Sequence, residues 1–488
     1  MIDRTQIPLV VLGCHERLKN AGFEAYLVGG CVRDLLLRRE PKDWDLATNA
    51  PPERIQGLFE ESFYENDFGT VGVVTESADS RHRVVEITPY RREGKYTNAR
   101  HPDEVEWAQT LAEDLERRDF TINAIAYEPT TGEMVDLHGG QDDLRRRVLV
   151  TVGEPARRFE EDALRMLRAV RLAAELDFAL DGTTAAAIAS NAQSLERISK
   201  ERIRDELCKT LASPRPMQGI YVAQKLGLLH YIAPEVEEGI GVAQNQAHAF
   251  DVFEHSLRSL QHAADRDWPL DVRLAALLHD IGKPATRAWS DEKGDWTFYG
   301  HEVVGAKIAK RVLQDLKFSR ETVEIVTTLV RWHMFFSDPD KITLSAVRRV
   351  ISRVGTEHIK DLLNLRVCDR IGTGRPKEHP FRLRKYMSMV DEAMRDPITI
   401  QMLSLDGRTL MALGEPAGPR IGWILHALLE DVLDDPAKNT AENLTERAKA
   451  LMKMDDQTLR ALGEKGRSRK EEEDAAEVRL LRDKYHVS

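Results

Sequence analysis

Two regimes of hydrophobic spacing divide the chain. Between residues 24 and 150, short apolar runs alternate with turn residues: AYLVGG, TVGVVTE, RVVEITPY and RRVLVTV. Runs of this length bounded by glycine, proline and polar residues read as strands with helices between them, an α/β head. From about 154 to 380 the apolar positions recur every three to four residues, as in EDALRMLRAVRLAAEL, KERIRDELCKTLA and VRLAALLHDIGK. That period belongs to amphipathic helices. Residues 382–460 continue the helical pattern, broken by GEPAGPRIG. The last stretch, GEKGRSRKEEEDAAEVRLLRDKYHVS, is dense in charge and reads as a solvated helix or a frayed tail. No internal repeat or low-complexity linker interrupts the chain, and its 488 residues suggest about three domains.

Composition narrows the class. Hydrophobic residues make up 42% and charged residues 31%, the balance of a soluble globular protein. No run of about 18 apolar residues exists to span a membrane. The N-terminal MIDRTQIPLVVLGCHERLK has no cleavage site of small residues, so no signal peptide is expected. Cys14, Cys31, Cys208 and Cys368 are scattered without a CxxC pair, which fits a reducing cytosol and a cytoplasmic location. The formal charge of -11 argues against a general coating of nucleic acid. It leaves room for a local basic groove, because binding follows the local field.

The segment YLVGGCVRDLLLRREPKDWDLAT carries the first chemistry. Gly29 and Gly30 let backbone N–H groups approach a phosphate, and Arg33 lies on the following turn, placed to clamp one. In a strand, positions i and i+2 share a face, so Asp43 and Asp45 would converge. Two such carboxylates repel unless a divalent cation sits between them. Mg²⁺ suits them, since it takes few protein carboxylates plus phosphate oxygens. Glu86, in the alternating RVVEITPY, offers a third carboxylate. Alone, an Asp-x-Asp is often only a solvated turn; the glycine–arginine segment upstream is what favours a metal.

GGCVRD followed by DWDLAT resembles the nucleotidyltransferase superfamily that includes DNA polymerase beta. RRDFTINAIAY, DLHGGQDDL and EDALRMLRAVRLAAELDF extend the resemblance to class II tRNA nucleotidyltransferases, the CCA-adding enzymes, and to the similar bacterial poly(A) polymerases. The motifs span about the first 210 residues in the family's order. The resemblance implies that Gly30 and Arg33 bind the triphosphate and that Asp43 and Asp45 hold Mg²⁺. It implies that Arg118, Asp119 and Asn123 contact phosphate and ribose, that DLHGGQDDL is a hinge, and that Asp162 and Arg165 read the incoming base.

The base-reading role makes chemical sense. On one continuous helix Glu161, Arg165 and Arg168 would share a face, with Asp162 beside them. A carboxylate accepts from an exocyclic amine and a guanidinium donates to a ring acceptor. Cytosine and adenine present that pair; uracil and guanine do not. The same pattern is also that of a salt-bridged surface helix. Between Arg145 and Arg171 stand eight arginines, Arg168 and Arg171 among them, against four acids, a candidate groove for tRNA phosphates and nucleotide. The stretch TPYRREGKYTNARHPDEVEWAQTLAEDLE resembles the family's flexible loop at full length, which favours addition of A as well as C.

The helical middle holds His255, the pair His279–Asp280, His301, His333 and Asp369, each in an apolar helical context. Singly, such histidines are core or surface residues. In this order they resemble the HD superfamily of metal-dependent phosphohydrolases. The resemblance implies one ion on His255, His279, Asp280 and Asp369, with His301 and His333 near a second. Imidazole with carboxylate suits Mn, Ni, Co, Fe or Zn.

The fold expected is α+β: a small polymerase-beta-like mixed-sheet head (1–150), an elongated all-helical neck (151–240), an HD domain (241–380) and a helical tail region (381–488). The expected activity is addition of CCA to tRNA from CTP and ATP, with the tRNA acceptor arm and elbow as partner and a second, 2′,3′-cyclic phosphodiesterase or phosphatase activity. Oligomeric state stays open. Alternatives are poly(A) polymerase, an enzyme adding only CC or only A, and, more distantly, an HD phosphohydrolase whose head binds RNA.

Overall fold

The computed structural model describes residues 2–65, 69–93, 105–245, 249–335 and 342–464. Residues 94–104 of the loop and the charged terminus from 465 onward lie outside them. The described chain forms two compact units, Met1–Ile232 and Ala233–Ser488.

The first unit is built on a seven-stranded sheet. Its strands are β1 (Ala25–Val28), β2 (Asp45–Thr48), β3 (Ser62–Tyr64), β4 (Val71–Val74), β5 (Val84–Pro89), β6 (Ile125–Tyr127) and β7 (Met134–Asp136). Their order is β3-β4-β5-β2-β1-β6-β7. The β2–β5 pair is parallel and the others antiparallel, which makes the sheet mixed. Alternation along VVEITP buries Val85 and Ile87 and turns Glu86 to the opposite face. Leu27, Leu46, Val71 and Ile87 are fully buried at the sheet centre. Each such side chain contributes roughly 1.5–3 kcal/mol by leaving water. Helix α1 (Gly30–Leu36) follows β1 directly.

Helices α2 (Pro155–Glu161), α3 (Leu164–Leu176) and α4 (Lys200–Ala212) lead the helical part of this unit. A two-residue parallel pairing, Val148 with Ala179 and Leu149 with Leu180, stitches it to the end of the head. Met166, Ala169, Val170 and Ala173 of α3 are buried, as are Ile203, Leu207 and Leu211 of α4, and the two helices pack together. The helical run read as continuous from Glu161 is broken. Asp162 is extended (φ -145°, ψ 106°), its carboxylate accepts from the Leu164 N–H at 3.0 Å, and its carbonyl accepts from the Arg165 N–H. Asp162 thus ends α2 and caps the start of α3, a local bond that outcompetes helix propensity.

The second unit is helical: α5 (Val252–Asp265), α6 (Leu270–Leu278), α7 (His301–Asp315), α8 (Arg320–Trp332), α9 (Ile359–Gly372) and α10 (Phe381–Ala393), with further helices to residue 464. A hairpin of β8 (Ala288–Ser290) and β9 (Asp295–Thr297) precedes α7. Packing pairs α5 with α9, α7 with α8, and α6 with α5 and α8. Gly282 permits a close approach of backbone to backbone: a methyl there would stand 2.3 Å from the His301 carbonyl oxygen and 2.6 Å from the Gly305 nitrogen. Among the described residues no helix is long and apolar enough to cross a membrane.

Candidate active site and metal centre

The head chemistry gathers where β1 turns into α1. Gly29 has φ +76°, and a methyl on it would sit 3.2 Å from Nη1 of Arg118 and 3.4 Å from Oδ2 of Asp45. Both its backbone conformation and its surroundings require glycine. A methyl on Gly30 would lie 3.6 Å from Oδ1 of Asp43 and 3.7 Å from Nη2 of Arg33. The turn therefore lies directly over the two aspartates and two arginines. β2 begins at Asp45, so Asp43 stands in the bend before it, exposed, with buried Trp44 between. The two aspartates converge through that bend and the glycine turn above it, not by strand alternation.

Across the parallel pair, Asp45 is in register with Glu86, so both carboxylates leave the same face. Burial pushes the Asp45 carboxyl up to about 8, aided by the charges of Glu86 and Asp43 and opposed by Arg118. Burial pushes Glu86 up to about 7, with the charges of Glu65 and Asp43 adding to it. Such a cluster cannot hold its full negative charge near neutrality without a cation, and oxygen donors of this kind fit a divalent one. Glu65 escapes a reading of the sequence; it follows β3, and nothing local marks it as a neighbour of Glu86.

A polar chain runs from this site into the helices. Arg33 is buried; it donates to Oδ1 of Asn123 at 2.9 Å and to Asp34 at 2.9 Å. Asn123 donates to Oδ1 of Asp119 at 3.1 Å, and Oδ2 of Asp119 accepts from Arg168 at 2.8 Å. Burial opposes ionisation of Asp119, but Arg168 and Asn123 outweigh it and hold the carboxyl below its usual range. Asp114, fully buried, accepts from Arg117 and Arg118, fixing Arg118 beneath the turn.

Asp162 and Arg165 each have a fixed support. Oδ2 of Asp162 accepts from Arg202 of α4 at 2.8 Å. Arg165 donates to Oε2 of Glu161 at 2.7 Å and to the Arg117 carbonyl oxygen at 3.3 Å. Arg171 is engaged elsewhere, with Glu206 and Glu175 at 2.7 and 2.9 Å. Seven of the eight arginines from 145 to 171 have a carboxylate within 4.0 Å, several supplied by acids outside that stretch. The local positive excess read from the sequence is thus largely neutralised. In DLHGGQDDL, the Asp136 carboxylate caps the helix that follows through the Gly140 and Gln141 N–H groups at 2.8 and 2.9 Å.

In the second unit all six histidine–aspartate residues meet. His279 and His333 end helices α6 and α8 rather than lying within them, and His301 opens α7. His255, His279 and Asp369 place donor atoms within 4.8 Å of one another, as do Asp280, His301 and His333. Asp280 joins the two groups: Oδ2 lies 3.0 and 3.2 Å from Nε2 of His255 and His279, and Oδ1 lies 3.4 and 3.7 Å from Nε2 of His301 and His333. Nδ1 of His301 meets the Phe298 carbonyl oxygen at 2.7 Å, and Nδ1 of His333 meets that of Val330 at 2.6 Å. Those contacts give an Nδ1 proton an acceptor on each ring and turn the two Nε2 atoms toward each other at 3.3 Å. Burial, with His279 and His301 nearby, holds His333 well below its usual value and keeps it neutral. Imidazole nitrogens gathered around a carboxylate in this way could hold a divalent metal. Lys283, three residues after Asp280 at the end of LLHDIGK, contacts Asp280 at 2.6 Å and Gln244 at 2.6 Å.

A glycine turn over converging carboxylates, with a polar chain running on into the helices, fits the nucleotidyltransferase class. Residues 25–150 match the poly A polymerase head domain family. Residues 177–240 match the family described as a probable RNA and SrmB-binding site of polymerase A, and 252–371 match the HD domain. The CC-adding tRNA nucleotidyltransferase of Thermus thermophilus is 36% identical over 423 residues, spanning 83% of this chain and 89% of that protein. The A-adding tRNA nucleotidyltransferase of Deinococcus radiodurans is 35% identical over 417 residues, spanning 83% and 91%. The crystal structure of the Bacillus stearothermophilus CCA-adding enzyme in complex with CTP superposes with a TM-score of 0.68 at 29% identity, over 91% of this chain and 98% of that one. The chain belongs to the tRNA nucleotidyltransferase family.

Proposed function

We propose that this chain adds C, C and A to the 3′ end of tRNA from CTP and ATP, acting in the cytoplasm. The tRNA 3′-OH attacks the α-phosphate and pyrophosphate leaves. The observation that carries the reading is the register of Asp45 with Glu86 beneath the Gly29–Gly30 turn, with Asp43 and Arg118 at the same point. Mg²⁺, when bound there, activates the hydroxyl and neutralises charge on the phosphates. Asp43 and Asp45 hold it, with Glu86 beside them. The glycine turn, Arg33 and Arg118 receive the triphosphate, and Asp119 and Asn123 position the ribose. Asp162 accepts from the base amine and Arg165 donates to the ring acceptor; Arg202 and Glu161 keep both in place. Arg168 orients Asp119.

The histidine–aspartate cluster is the seat of a second activity, phosphohydrolase or 2′,3′-cyclic phosphodiesterase, with Mn, Ni, Co, Fe or Zn as its metal. Its donor set of imidazoles and carboxylates supports that choice. Relatives of similar identity are named for CC addition and for A addition. The deciding experiment incubates the protein with tRNAs ending before CCA, after C and after CC, with each nucleoside triphosphate, and reads products on a sequencing gel. Two C residues followed by one A is the expected result. Arrest after CC, A alone, or a run of A would replace this reading.

A further inference from the structure

The histidine–aspartate cluster opens into a cavity of about 870 Å³, walled in part by Asp280, His301 and Asp369. Small-ligand sites run from roughly 300 to 1,000 Å³, so this one stands near the upper end. Six lysines and arginines line it against three aspartates, two of which are Asp280 and Asp369. Two of the cations stand at the metal ligands: Lys283 at Asp280 (2.6 Å) and Arg366 at Asp369 (2.5 Å). Others continue along the chain beyond them. Arg370 follows Arg366 by one helical turn, about 5.4 Å, and Arg375 lies three residues past the end of α9 at Gly372. Aromatic rings share the wall, with Trp296 from β9 and Phe381 at the start of α10. Arg287 stacks 3.7 Å from the centre of the Trp296 ring and fixes its plane. Phe381 is 66% exposed. Arg375 and Phe381 lie beyond the HD match, which ends at 371, so this part of the wall is added to the HD fold.

One terminal phosphate does not need this many cations once metals occupy the cluster. A row of arginines beside flat rings suits a strand carrying several phosphates and unstacked bases. We propose that the cavity takes the 3′ end of a single-stranded RNA, several nucleotides long, in preference to a lone nucleotide. Arg370 and Arg375 meet the phosphates upstream of the terminal phosphoester, and Trp296 and Phe381 stack on bases. The inference rests on the phosphohydrolase reading of the cluster. At a 2′,3′-cyclic end, water supplies an oxygen to phosphorus, one phosphorus–ribose oxygen bond breaks, and that ribose oxygen takes a proton, leaving a monoester.

The test uses the full chain with Mn²⁺ or Ni²⁺ and two substrates: an RNA pentamer ending in a 2′,3′-cyclic phosphate and the 2′,3′-cyclic mononucleotide. The ratio of kcat/KM on pentamer to that on mononucleotide should exceed ten, and should fall about tenfold in Arg375→Glu and in Phe381→Ala. The dependence of log KM for the pentamer on log salt should lessen by about 0.7 for each phosphate contact removed, as for single strands. A ratio near one, or a ratio that neither variant moves twofold, overturns the polynucleotide proposal. Binding of a fluorescent pentamer bearing a 3′-phosphate, read by anisotropy, tests the same preference without turnover: Arg375→Glu should weaken it about tenfold, and equal binding refutes the proposal. Absence of any metal-dependent hydrolysis, unaltered by Asp280→Asn, defeats instead the phosphohydrolase reading beneath it.

Discussion

Replacing Asp45 with Asn should stabilise the metal-free protein while abolishing nucleotide transfer. The carboxyl is raised from its ordinary 3.8 to about 8 by burial and by Glu86 and Asp43. A group whose folded pKa is raised binds more protons in the folded state, so stability falls as pH climbs. For Asp45 the loss accrues between about pH 4 and pH 8. At ~1.4 kcal/mol per unit, the gap amounts to a ceiling of about 4 kcal/mol at pH 7. Asp45 is half-buried and Asp43 is exposed, so water reaches the cluster and reduces the effect to about 1–2 kcal/mol. For a unit of this size that corresponds to a rise in Tm of roughly 2–8 °C. Thermal melts after chelation, at pH 5.5 and pH 8, should show the variant above the parent at both, with the margin at pH 5.5 less than half of that at pH 8. Added Mg²⁺ should raise the Tm of the parent at pH 8 by a similar amount and the variant much less. A variant that melts below the parent at pH 8, or equal gains from Mg²⁺ in both proteins, would refute the idea that these carboxylates await a cation.

Other substitutions probe other links. Gly29→Ala should retain the fold but lose most nucleotide transfer in a gel assay, because its backbone (φ +76°, ψ -135°) costs alanine about 1–3 kcal/mol and the methyl would press on Arg118 at 3.2 Å. Arg168→Ala strands the Asp119 carboxylate. The expected cost, read from the denaturant midpoint, is about 2–3 kcal/mol, below the 3–5 of a fully buried pair because Arg168 keeps 36% of its side chain exposed. Replacing His279 and Asp280 together by alanine should release metal from the second unit, measured by elemental analysis, and end phosphoesterase turnover. Nucleotide addition should persist; its loss would show that the two sites are not separate.

Much of the site is legible in the sequence because its chemistry is local. Gly29, Gly30 and Arg33 lie in one short segment, and the alternation around Glu86 already turns it away from Val85 and Ile87. The histidine–aspartate series is legible in its order, since few other roles call for six such residues spaced along apolar helices. Partners supplied from afar are not. Glu65 and Arg202 reach Glu86 and Asp162 only through tertiary packing, and no periodicity announces them. The break at Asp162 is hidden for a different reason. Its neighbours favour helix, and one bond from its carboxylate to the Leu164 N–H decides otherwise. The arginine-rich stretch misleads because its counter-charges, Asp119 and Glu206 among them, sit elsewhere in the sequence.

Base choice by Asp162 and Arg165 is the central claim. Single-nucleotide incorporation into tRNA lacking CCA, measured with all four triphosphates for Asp162→Ala, Arg165→Ala and the parent, tests it directly. Each lost pairing is worth about 1–3 kcal/mol, so preference for C over U should fall roughly 5- to 150-fold in either variant. Unaltered discrimination in both, with the fold intact, would contradict the claim that this pair of side chains serves as the template.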